Sequence, residues 1–327
     1  MLIMGDEDMM DQRHRQDLSN RGQAEVTLGL MSLLFLLLVS FTARGEVATT
    51  PQRGMLWEVV AANGATSYLL GSVHSEDARI KQRLDKLAPV FSSARCVIVE
   101  TVLNGQSDQQ LAAALRLPVG QTLDKILGPA WFGRAMTALA PLGFSAEQVN
   151  QFKPWAVMMI LSMPTPGTGF FMDKEIMADA TRRGQSLIGL EAAQEQVDVF
   201  DTLPLADQIV LLQETIASYP DFPRLLESVL KAYLADDLAE LQRLNDESAG
   251  DIDPRLLQEI NRRLLSVRNQ RMAERLQVEL QRGGCVAVVG ALHLAGNQGL
   301  LALLQSRGYR LRSVAASTLL DHDTIRH

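Results

Sequence analysis

The chain has 327 residues and a formal charge of −7, with 47% hydrophobic and 21% charged residues. That length can bury the core of one large or two ordinary domains, and the composition excludes both a disordered polymer and a bundle of membrane spans. The negative balance and the lack of any long Lys/Arg block exclude a phosphate-tracking surface, so no nucleic acid is expected as a partner.

Residues 1–25 form a polar leader that carries Arg13, Arg15 and Arg21. The run VTLGLMSLLFLLLVSF, Val26 to Phe41, is apolar and uncharged, and Ala43 and Gly45 follow at a spacing that a signal peptidase accepts. Residues 26–45 therefore read as a cleaved signal peptide or an uncleaved membrane anchor, with a buried core helix as a third reading. Both membrane readings export the body, residues 46–327, which is expected as a single α/β domain in the periplasm or anchored facing away from the cytoplasm.

The body opens with a predicted hairpin: Leu56 to Val60 and Ser67 to Leu70 are β-rich runs around the turn-forming ANGAT. His74 lies just past the second run, in GSVH. A helix is expected from Ile80 to Phe91, then the short β-branched run CVIVE, Cys96 to Glu100, of the kind that fills a sheet buried on both faces. From about residue 107 to 162 the pattern is helical and broken by prolines, which predicts a large helical insertion, with VMMILSM as core or lid packing. A Gly-rich loop leads into a helix beginning near Met172, and SLIGLE supplies another strand ending in Glu191. Helices follow over Pro204 to Ser218 and Asp221 to Leu244. A longer one starts at Asp253–Pro254 and ends at Gly283–Gly284, with Leu256, Ile260, Leu264, Val267 and Leu276 at helical spacing. The strand CVAVVGALH, a helix from Gly299 to Ser306 and the strand YRLRSV complete an α/β fold, a mixed sheet with flanking helices.

Four apolar strands thus deliver His74, Glu100, Glu191 and His293 at their C-terminal ends, the edge of an open α/β sheet where ligands bind. Two imidazoles and two carboxylates there form a set suited to a divalent ion such as Mn, Co or Zn. Each residue alone has a plainer reading: a loop histidine, a helix-capping carboxylate, Asp173 capping the helix it opens, or Arg268–Asn269 on a solvated helix face. The repeat outweighs them, because both histidines of the body fall in the same strand-Gly-x-x-His unit, Gly71 to His74 and Gly290 to His293. A glycine at that position would let backbone approach a ligand.

The ordered blocks LWEV, SYLLGSVH, VIVE, KPW, GFFMDKEI, IGLE with LPLADQIVLL, VRN and VAVVGALHLAGNQGLLALLQSRGY resemble the TraB/GumN family, which is related to the Tiki metalloproteases. The likeness runs from about Leu56 to Ser313. Its hallmark is the pair of GxxH motifs, and it implies a fold like that of the erythromycin esterase and ChaN group. By that resemblance the site comprises His74, Glu100, Asp173, Glu191, Arg268, Asn269 and His293, although the chain reads GFFMD where members carry a compact GVD or GLD.

The expectation is an exported metal-dependent hydrolase of a peptide or other amide. His74, His293, Glu191 and Asp173 would hold the ion, Glu100 would act as base, and Arg268 with Asn269 would complete the catalytic set. The alternatives are a metal- or haem-binding or regulatory protein of the cell envelope that performs no hydrolysis, or a membrane-anchored interaction module. Cys96 and Cys285 are the only cysteines and lie on strands leading into the site, as a disulfide or as two buried thiols.

Overall fold

A computed structural model describes residues 53–102, 105–164, 171–248 and 252–315. The polar leader, the apolar Val26 to Phe41 run and most of the Gly-rich loop before Phe171 lie outside the described residues.

In chain order the elements are β1 (Leu56–Val60), β2 (Thr66–Ser72), α1 (Ala78–Ser92), β3 (Cys96–Val99), α2 (Gly105–Ala114), α3 (Leu123–Leu139), α4 (Ala146–Val149), α5 (Pro154–Leu161) and α6 (Met172–Arg182). There follow β4 (Ser186–Gly189), α7 (Ala193–Asp201), α8 (Leu205–Ser218), α9 (Phe222–Leu234), α10 (Leu238–Glu247), α11 (Pro254–Asn261), α12 (Val267–Arg282), β5 (Cys285–Gly290), α13 (Leu300–Ser306) and β6 (Arg310–Ser313). The six strands form one mixed sheet in the order β4-β3-β5-β2-β1-β6. Its four central and flanking members β4, β3, β5 and β2 run parallel, while β1 is antiparallel to both β2 and β6.

Every residue of β3 and β5 is buried, as expected for continuous apolar runs with helices on both faces. One apolar cluster wraps the sheet with α1, α6, α9, α10, α12 and α13. A second lies in the helical insertion, where all eight residues of α5 are buried, but it also recruits Val197 and Phe200 of α7, Leu211 of α8 and Leu257 and Ile260 of α11. The helical part is thus larger than the 107–162 segment read from sequence, because proline-broken helices of that segment need later amphipathic helices to cover them.

Two helix patterns differ from the sequence reading. The Asp221 to Leu244 segment divides into α9 and α10 at Asp236, the one non-glycine with positive φ (56°) among the described residues. Its strained backbone is held by side-chain bonds: the Met55 amide donates to Asp236 Oδ1 at 3.1 Å, and Arg83 pairs with the same oxygen. The long helix begins as expected, with Asp253 accepting from the Arg255 amide at 2.9 Å and Pro254 in the first turn. It then contains a wide π-type turn, Arg262–Ser266, which shifts the helical register. Val267 therefore turns outward, 36% exposed, instead of joining the apolar stripe of Ile260 and Leu264.

Cys96 and Cys285 face each other in the parallel β3–β5 register and form a disulfide, with Cα atoms 4.7 Å apart and a sequence separation of 189. A loop that long makes the bond's effect on unfolded-chain entropy large, about 5 kcal/mol in the chain-entropy account. Converting both cysteines to serine should lower unfolding stability by about 2–5 kcal/mol in a urea titration, and the native oxidised protein should show no free thiol toward a thiol reagent. An unchanged urea midpoint would contradict this.

Candidate functional site

The sheet order places the sequence-predicted residues side by side. Reading across β4, β3, β5 and β2, the strand ends carry Glu191, Glu100, the turn with His293, and His74. Leu190 and Glu191 continue the β4–β3 pairing, their amides donating to the Val99 and Glu100 carbonyls at 2.9 and 2.7 Å. Gly71 is level with Val289, and Ser72 with Gly290, so the two GxxH turns leave the sheet as neighbours.

Gly71 is bare for packing and not for a ligand. A Cβ there would stand 2.9 Å from Leu294 Cδ1 and 3.0 Å from the Ala291 Cα, the backbone of the second motif. Beyond Gly71, Ser72 Oγ donates to Asp173 Oδ1 at 2.8 Å, and Asp173 Oδ2 lies 3.4 Å from His74 Nε2. Asp173 sits in the first turn of α6 and is not its N-cap, which is Phe171; its carboxylate is turned to Ser72 and His74. The Phe171 and His74 rings pack with centroids 6.4 Å apart. His74 is 3% exposed, and this burial lowers its pKa against the opposing pull of Asp173.

Arg268 is carried inward by the register shift at the π turn and is 1% exposed. Its Nε and Nη2 donate to Glu191 Oε2 at 2.9 and 2.6 Å, and Nη2 also donates to Glu100 Oε2 at 2.7 Å. Nη1 reaches the Leu264 carbonyl at 3.4 Å. A guanidinium fork suits such a bidentate task, and a lysine would not replace it. Glu191 is further approached by Gln196 Nε2 and Arg271 Nη1, at 3.4 and 3.5 Å. Glu100 has fewer guanidinium bonds, and its Oε1 accepts from the Gly290 amide at 2.8 Å. Burial, with Glu191 as a second negative charge, pushes the Glu100 carboxyl up to about 8 although Arg268 opposes the shift.

Asn269, the next residue of α12, orients the second histidine. Its Nδ2 donates to the Gln298 carbonyl at 2.8 Å, so Oδ1 faces His293 Nδ1 and accepts from it. The proton thereby falls on Nδ1 and the basic lone pair on Nε2, the tautomer of an imidazole that ligates an ion or accepts a proton. His293 is fully buried, and burial, with the nearby Arg268 charge, holds its pKa well below the usual histidine value.

The structure thus gathers all seven predicted residues at one sheet edge, in two linked groups: His74 with Asp173, and Glu100, Glu191, Arg268, Asn269 and His293 around α12. Sequence reasoning missed Ser72, Gln196, Arg271 and the Gln298 carbonyl. Arg271 carries a readable signal, one helical turn beyond Arg268 on the same face, and Gln196 follows Glu191 by only five residues; Ser72 and the Gln298 carbonyl are contacts between separate segments. Imidazole and carboxylate oxygen suit a borderline divalent ion, and His74 with Asp173 offers two such donors together. Among the described residues, however, the one trio of His, Cys, Asp or Glu donors within 4.8 Å of one another is Cys96, Glu279 and Cys285, whose sulfurs are tied in the disulfide. His74 and Asp173 thus offer two donors of suitable type, while the expected set of His74, Asp173, Glu191 and His293 does not converge within that distance, and both Glu191 oxygens are turned to Arg268.

An open α/β sheet with paired strand-Gly-x-x-His turns over an arginine-locked pair of glutamates defines a distinct class of site. The chain belongs to the TraB/PrgY/gumN family, whose profile matches residues 55–313, most of its length. A search among curated proteins returned no match.

Two outcomes follow for stability. Arg268→Met should cost about 3–5 kcal/mol in chemical unfolding, because it strands Glu100 and Glu191 without their cation; a loss below 1 kcal/mol would contradict the buried network. The depressed His293 pKa means the unfolded chain binds a proton that the fold refuses, so this contribution is complete above pH 6.5 and is lost as pH falls. In chelator-treated protein His293→Gln should therefore flatten the decline in stability from pH 6.5 to 5, by up to about 1.4 kcal/mol per pH unit. An unchanged acid slope would show that His293 is charged in the fold.

Proposed function

We propose that the protein is an exported hydrolase of a peptide or other amide bond, with Glu100 as its proton-exchanging group and a divalent ion, Mn, Co or Zn, beside His74 and Asp173. The observation that carries this reading is the Asn269-oriented, neutral His293 in the turn after β5, with the neighbouring strand ending in a buried glutamate poised near neutrality. In its ionised form Glu100 takes a proton from the attacking water, becoming the neutral acid, and then returns that proton to the leaving nitrogen. Arg268 holds Glu100 and Glu191 in place, and its charge keeps the ionised form of Glu100 accessible. His293 stays neutral and presents Nε2. When bound, the ion supplies Lewis-acid polarisation of the scissile carbonyl. The Cys96–Cys285 disulfide favours an oxidising compartment, in keeping with periplasmic or membrane-anchored export through the N-terminal segment. Among the described residues no helix is long and apolar enough to cross a membrane.

A second reading, a metal- or haem-binding or regulatory protein without turnover, draws on one observation. Both oxygens of Glu191 are engaged by Arg268, and among the described residues no further His, Cys, Asp or Glu donor lies within 4.8 Å of both His74 and Asp173.

Incubating the purified protein with a mixed peptide library and Mn, Co or Zn separates the two. The hydrolase reading expects cleavage that rises through pH 7 to 8 as Glu100 ionises and falls about 100-fold or more in Glu100→Gln. Stoichiometric metal in the wild type, absent from His74→Ala/His293→Ala, together with no cleavage, would establish the binding protein instead. Unchanged metal content in that double variant would sink both.

A further inference from the structure

The first GxxH turn is gripped from outside the site by a residue the chemistry above does not use. Tyr233 of α9 is fully buried, and its hydroxyl donates to the Gly71 carbonyl at 2.8 Å and lies 3.5 Å from Met172 Sδ. Gly71 is three residues before His74, and Met172 is the residue before Asp173. One hydroxyl therefore touches both segments that bring His74 and Asp173 to their 3.4 Å separation.

The tyrosine is itself seated. Arg83 of α1 lies over its ring, 5.1 Å from the guanidinium carbon to the centroid, and Arg83 is paired with Asp236 at the left-handed break after α9. Asp236 in turn accepts from the Met55 amide, and the Met55 carbonyl accepts from the Gly71 amide at 2.7 Å. The circuit Asp236, Arg83, Tyr233, Gly71, Met55 closes on itself, so the helix break, α1 and the start of β1 are all tied to the glycine of the motif. A tyrosine needed for packing alone would gain as much as phenylalanine from this pocket; the hydroxyl is spent on the one carbonyl whose residue enters the turn.

We infer that Tyr233 is a positioning residue that fixes His74 against Asp173 through the Gly71 carbonyl and the start of α6. This rests on reading His74 and Asp173 as an ion-binding pair, and two separate readouts keep the two ideas apart. The full chain labelled with 15N-histidine is compared at one fixed pH as wild type, Tyr233→Phe and Leu230→Ala, the last a core truncation on the same helix. Tyr233→Phe should move the ring-nitrogen signals of His74, leave those of His293 in place and keep the far-ultraviolet dichroism unchanged; Leu230→Ala should lower stability without moving His74. Where Tyr233→Phe fails to fold, Arg83→Gln, which keeps the hydroxyl but unseats the ring, should displace the same His74 signals in smaller measure. His74 signals that stay put in Tyr233→Phe and Arg83→Gln, or that move equally in Leu230→Ala, would overturn the inference. Zinc titration of wild type and Tyr233→Phe should show affinity weakened about tenfold or more. Wild type that binds no zinc, with His74 still displaced by Tyr233→Phe, would sink the ion reading and leave the positioning role standing.

Discussion

Everything at the site depends on β5 lying between β3 and β2. That strand is drawn from the far end of the sequence, more than 200 residues after β2, and its parallel pairing brings the second GxxH turn against the first. On its other side β5 is tied to β3 at both ends: by the Cys96–Cys285 bond at the start and by the Glu100 carboxyl on the Gly290 amide at the finish. The approach of the two turns is so close that Gly71 has no space for a methyl group. Overpacking of this kind typically costs about 1–3 kcal/mol, so the glycine is a condition for the two turns to meet.

Given that frame, the central electrostatic problem is one guanidinium serving two buried carboxylates. Burying Arg268 would be costly alone, and so would burying either glutamate. One guanidinium does not offset two buried carboxylates, so ionisation of the second is disfavoured, and Glu100, the partner with fewer guanidinium bonds, is the one held protonated up to about pH 8. The result is an asymmetric pair in which Glu191 is locked to Arg268 and Glu100 is poised near neutrality. An asymmetry between chemically identical groups, set by environment, is the usual basis for assigning acid and base roles.

Much of this was legible in the sequence because strands buried on both faces write themselves as short β-branched runs with unmistakable ends. The polar residue closing each run could be named before any geometry, and the recurrence of Gly-x-x-His told that two of those ends belong together. The depth of Arg268 and Asn269 was not legible. The π turn at Arg262–Ser266 rotates them inward, and nothing in simple helical spacing signals a wide turn. The break at Asp236 carried no glycine or proline, since the left-handed residue there is stabilised by contacts from Met55 and Arg83. The disulfide stayed open for a related reason: which strands adjoin is a long-range fact that local pattern does not hold. Tyr233 and Ser72 were invisible for the same cause, as their partners come from other segments.

Whether the two GxxH turns build one site can be seen in a single experiment. A crystal structure of the protein soaked with manganese, with the ion located by anomalous scattering, tests it most directly. The expected result is a single ordered ion coordinated by His74 and Asp173 and facing His293, with Glu100 still bonded to Arg268 and the Gly290 amide. An ion bound elsewhere, or His74 and His293 opening onto separate surfaces, would contradict it.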